Sequence, residues 1–134
     1  MRTIVLAAAM MAGLAGPVVA QDSQPLPEAG RSTIGYPSVA AALTDLKAQP
    51  DAQVSTQGGW TIIAQSDPQA LWSFPAREHP AYPSAVRRRI TTGADGGLYV
   101  AMDVHCEASK AACDDLVRSF QALNQQMIAS MKQR

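Results

Sequence analysis

Few residues in this chain can do chemistry, and they are scattered. The cysteines are Cys106 and Cys113, and the histidines are His79 and His105. The C-x6-C spacing is not the C-x-x-C of a dithiol redox site. In an oxidising compartment an even pair reads as a disulfide. Free thiols and a zinc site of two Cys and two His compete with it, and the order His79, His105, Cys106, Cys113 fits no finger spacing. Asp103 and His105 share one face of a strand, where a carboxylate can polarise an imidazole for base catalysis. No G-x-S-x-G elbow supplies a nucleophile beside them. The opposing reading makes Asp103 a cross-strand ion-pair partner of an arginine. Arg87-Arg88-Arg89 is the one dense charge run. In a strand Arg88 faces the same way as Val86 and Ile90, and Arg87 and Arg89 face the other way, so the run is no continuous basic stripe. His79 lies in Arg77-Glu78-His79-Pro80, a polar cluster in a proline-rich loop. Such a loop either holds a partner or is simply solvated. No cofactor or metal motif accompanies these residues.

The elements that must position them follow from periodicity. Ser38 is a helix N-cap, and Val39, Ala42, Leu43 and Leu46 make one apolar stripe after it. Pro50 ends that helix at Gln49. Gln53–Gln57 and Trp60–Gln65 flank Gly58-Gly59, a two-residue hairpin signal. Asp67 to Ala70 reads as a turn, Leu71–Phe74 as a short strand, and Pro75–Pro83 as a loop. Ala85–Thr92 and Leu98–Cys106 form a second hairpin around Gly93–Gly97. In that hairpin a five-residue loop sets Arg87 opposite Asp103, and a three-residue loop sets Arg89 there. From Lys110 to Met131, Cys113, Leu116, Val117, Phe120, Leu123, Met127, Ile128 and Met131 recur in steps dominated by three and four, giving a long helix capped by Ser109. Leu116, Val117, Phe120, Leu123 and Met127 are expected to cover Val100, Met102 and Val104. The fold class is α+β: an antiparallel sheet of four to five strands, with an N-terminal helix and a long C-terminal helix packed on one face.

The first twenty residues decide the compartment. Arg2, a short apolar run from Ile4 to Leu14, and Val18-Val19-Ala20 read as a cleaved signal peptide over residues 1–20. The run is shorter than the roughly 20 residues that span a bilayer. Residues 21–35 read as a flexible leader and 36–134 as one domain. The whole chain carries 11 basic and 11 acidic residues. Arg2 leaves with the signal, so the mature charge is about −1, which argues against nucleic acid as a partner. The expected location is periplasmic or secreted, with no membrane anchor after cleavage.

The stretches Gly58-Gly59-Trp60-Thr61-Ile62-Ile63, Leu71-Trp72-Ser73-Phe74, His79-Pro80-Ala81-Tyr82-Pro83 and Cys106 to Cys113 resemble uncharacterised small exported proteins of Xanthomonas-like proteobacteria, over about Tyr36 to Met131. The resemblance implies export and a C-x6-C pair, and no activity. Some similar chains carry a DnaJ-like label. A J-domain needs His-Pro-Asp between two helices, whereas here Ala81 follows His79-Pro80 in a loop between strands.

The leading functional expectation is an exported binding or accessory module acting on a protein or envelope component. Its candidate partner surface is Trp72, Phe74, Arg77, Glu78, His79 and Tyr82. The alternatives are a small periplasmic hydrolase using His79 or His105, and a periplasmic chaperone or stress protein with a Met-rich groove near Met127 and Met131.

Overall fold

The computed structural model describes residues 34–134. The signal peptide expected over 1–20 and the leader up to residue 33 lie outside the described residues. The order is α1 (Val39–Ala48), β1 (Gln53–Gln57), β2 (Trp60–Ser66), β3 (Gln69–Phe74), β4 (Ser84–Thr92), β5 (Leu98–Cys106) and α2 (Lys110–Lys132). The α+β class is as expected. The five strands form one antiparallel meander in the order β1-β2-β3-β4-β5.

Local chemistry explains the boundaries. The Ser38 hydroxyl accepts the Ala41 N–H and opens α1, and Ser109 does the same for α2 through Ala112. Gly58 and Gly59 both take positive φ, +56° and +82°, as a tight turn between right-twisted strands demands. β3 begins at Gln69, two residues earlier than its aromatic run implied, because Gln69 and Ala70 continue the ladder with Ser66 and Gln65. The five-residue loop is the one adopted, and Arg87 pairs with Asp103.

The two helices do not share a face. Alternation along the strands separates two apolar clusters. Val39, Ala42 and Leu46 of α1 pack with Ile63, Ala70, Trp72, Phe74 and Ala85 on one side. Cys113, Leu116, Val117 and Phe120 of α2 pack with Val86, Val104 and Cys106 on the other. The expectation of both helices on one face is therefore corrected to a helix–sheet–helix sandwich. The physical reason is that both faces of β2–β4 carry apolar residues, and each needs its own cover. Ile34 is 1 % exposed within the α1 cluster, so the domain begins before Tyr36.

The Cys106–Cys113 disulfide joins the end of β5 to the first turns of α2, with Cα atoms 5.9 Å apart. Beyond Phe120, α2 loses its hold on the sheet. Asn124, one period later, is the last buried residue of the helix. Leu123, expected in the core, is 45 % exposed, because Asn124 takes the inward position four residues after Phe120.

Candidate functional site

The expected partner surface divides. Trp72 and Phe74 are 2 % and 4 % exposed, because α1 lies across their face of the sheet. The Trp72 indole donates to Gln65 at 3.1 Å, Gln65 donates to Gln49 at 2.9 Å, and Gln49 donates to Asp45 at 3.1 Å. A polar relay thus ties Trp72 to α1, and its ring is core rather than surface. Arg77, Glu78 and Tyr82 remain exposed, and His79 is half-buried. Arg77 and Tyr82 border a groove of about 450 Å³ beside the start of α1.

Neither histidine is set up as a hydrolytic base. His79 Nδ1 accepts the Ala81 N–H at 3.0 Å, so the neutral ring carries its proton on Nε2. A base that takes a hydroxyl proton through Nε2 needs the opposite tautomer. His79 shares a cavity of about 210 Å³ with Asp115 and Ser119. The Ser119 hydroxyl instead donates to the Asp115 backbone carbonyl at 2.9 Å, and the Asp115 carboxylate pairs with Arg118. His105 Nε2 lies 3.2 Å from Glu107, whose same oxygen accepts the Val39 N–H at the start of α1. Asp103 is held by Arg87 and Arg89, not by His105. The ion-pair reading of Asp103 is the one found. Among the described residues no cluster of three or more His, Cys, Asp or Glu gathers as a metal site.

Two further concavities lie elsewhere, on either flank of the far half of α2. One groove, about 820 Å³, runs between α2 and the edge strand β5. It is lined by Leu98, Val100 and Met102 below and Gln125, Ile128 and Ala129 above. The other, about 360 Å³, lies on the β3–β4 side, among Ala64, Leu71, Ile90 and Met127. It opens where β3 and β4 part, since their ladder ends at Leu71 opposite Arg88.

Between the two grooves sits a polar pair. Arg88 Nη1 donates to Asn124 Oδ1 at a long 3.5 Å, and Asn124 Nδ2 points at the Met102 thioether at 3.5 Å. The Arg88 guanidinium carbon is 5.1 Å from the Phe120 ring centre, a cation–π contact. Its Nε is buried without a partner, and among the described residues no carboxylate forms an ion pair with it. Burial pushes the guanidinium below its ordinary pKa. Sequence reasoning placed Arg88 on the Val86–Ile90 face but missed this pair. The available signal was a polar residue at an inward position on both partners: Arg88 on β4, and Asn124 four residues after Phe120.

No family model, curated protein or solved structure matches the chain. No helix among the described residues is long and apolar enough to cross a membrane.

Proposed function

We propose that the protein is an exported binding module, periplasmic or secreted, whose ligand site is formed by the grooves flanking the far half of α2. The observation that carries this reading is the half-open seam between α2 and the sheet. Met127, Ile128 and Met131 sit at helix positions that normally close onto a core, yet they are only half-covered. Ile90, Leu98 and Leu123 are exposed around them. A groove with an apolar lining, a methionine on each flank and a few convergent polar groups is the usual form of a ligand site. The disulfide is compatible with an oxidising compartment. The hydrolase reading has less behind it, because both imidazoles are committed to other bonds. The stress-protein reading shares the same grooves and differs only in taking unfolded chain as ligand.

The test is saturable binding of a neutral apolar dye such as Nile red, with methyl NMR of Met102 and Met127. Shifts at those methyls are expected. No saturable binding, or shifts confined to residues around Arg77 and Tyr82, would overturn the reading. The second outcome would favour the groove beside the proline-rich loop.

A further inference from the structure

We infer that the cleft between β3, β4 and α2 binds a small amphiphile with one carboxylate, its charged head on Arg88 and its aliphatic body against Leu71, Ile90 and Met127. The inference rests on the groove reading above and adds the chemical class of the ligand.

Charge complementarity carries it. Of the three consecutive arginines, Arg87 and Arg89 both hold Asp103. Arg88 alone points under α2, where among the described residues it meets an aromatic face, a distant amide and no anion. A half-buried cation in apolar surroundings is costly unless an anion completes it. The cleft lining contains no Asp or Glu, and with Arg89 engaged by Asp103 outside it, Arg88 is the cation left for a ligand's anion. A guanidinium is suited to a carboxylate, whose two oxygens match its fork of donors. Ser66 and Gln69 border the cleft and add neutral hydrogen-bonding groups. Gln53 and Gln65 also border it, and the rest of the lining, Ala64, Ala70, Leu71, Ile90 and Met127, is apolar and calls for a hydrocarbon body rather than a sugar or a nucleotide. At about 360 Å³ the cleft lies at the small end of the ligand-pocket range of about 300–1,000 Å³. A short or medium alkanoate fits that description better than a folded partner does.

The experiment is calorimetric titration of the oxidised protein, expressed from the full chain, with decanoate, decanol and decyltrimethylammonium below their micelle concentrations. Decanoate is expected to bind one per chain, at least about tenfold more tightly than decanol, the scale of one charge-assisted contact. The cationic probe is expected to be weakest. Arg88→Gln should bring decanoate down to the level of decanol and leave decanol unchanged. Arg88→Lys, which keeps the charge, should retain a preference for decanoate and decides the question should the Gln variant not fold. Equal binding of decanoate and decanol, an unchanged Arg88→Gln, or no decanoate binding overturns the inference. Nile red binding without a carboxylate preference would sink the ligand class and spare the groove. Loss of both would sink the groove reading as well.

Discussion

Arg87 lies directly across the β4–β5 ladder from Asp103 and grips one of its carboxylate oxygens with two nitrogens, Nε at 3.0 Å and Nη2 at 2.7 Å. Arg89 reaches the same oxygen at 3.1 Å. One carboxylate therefore serves two cations on a half-buried face. Asp103→Ala leaves both guanidinium groups without it and is expected to cost about 1–3 kcal/mol. The urea midpoint should fall accordingly, and the loss should shrink in high salt, which screens the exposed repulsion between the arginines. A variant as stable as its parent would show that the clamp contributes nothing.

Arg88 should behave in the opposite sense. Arg88→Met keeps a long flexible stem over Phe120 and removes a poorly satisfied charge. A gain of about 0.5–1.5 kcal/mol is expected, together with loss of carboxylate binding. Chemical denaturation reads the first and titration the second. A destabilised Met variant would mean that the contacts to Phe120 and Asn124 outweigh the desolvation of the charge.

Reduction of the Cys106–Cys113 bond releases the start of α2 from the end of β5. The closed loop is short, so the chain-entropy model gives about 2–3 kcal/mol. The oxidised and reduced proteins should differ by that amount in thermal or urea unfolding. Indistinguishable curves would mean that the packing of Leu116, Val117 and Phe120 fixes the helix without the bond.

The tip of the β4–β5 hairpin should report on pH. The Tyr99 hydroxyl donates to Asp95 at 2.7 Å and the Gly97 N–H donates to it at 2.9 Å, and together they hold the Asp95 carboxyl below its ordinary value. A depressed carboxyl stabilises the folded form fully above the ordinary carboxylate pKa, and that contribution fades as pH falls through the depressed value. Tyr99→Phe should move the Asp95 titration upward, toward the ordinary value, as followed by carboxyl NMR. An Asp95 that titrates at the same pH in both proteins would contradict the role of this hydroxyl.

The sheet was legible because its signals are local. Gly58-Gly59 specified one turn, and the alternation from Leu98 to Cys106 specified one strand with its faces. The five-residue loop then left Arg87 opposite Asp103. Which helix covers which face was not legible, since Ile63 and Trp72 are apolar on one side while Val86 and Val104 are apolar on the other. Trp72 and Phe74 read as a possible surface for the same reason: a short aromatic strand does not announce the helix that buries it. Leu123 was misplaced by periodicity alone, because steps of three and four admit both 123 and 124. The position belongs to Asn124, whose amide meets Arg88 across 36 residues of sequence. Such a pair shows itself only when two inward faces are superposed.

The meander also has a consequence for the order in which the chain assembles. Every ladder joins strands adjacent in sequence, so each closes a short loop at little entropic cost and can form as soon as its second strand exists. α1 is different. It precedes the sheet, but its docking surface includes Ala85, and its first N–H is held by Glu107, 68 residues downstream. A chain that leaves a ribosome or a translocation pore N-terminus first presents α1 before either partner has emerged. The apolar stripe of Val39, Ala42 and Leu46 can meet Ile63, Trp72 and Phe74 earlier, but its cover stays incomplete until the second hairpin emerges. During that interval α1, more than any strand, is the segment open to capture by a chaperone or to misassembly with a neighbouring chain.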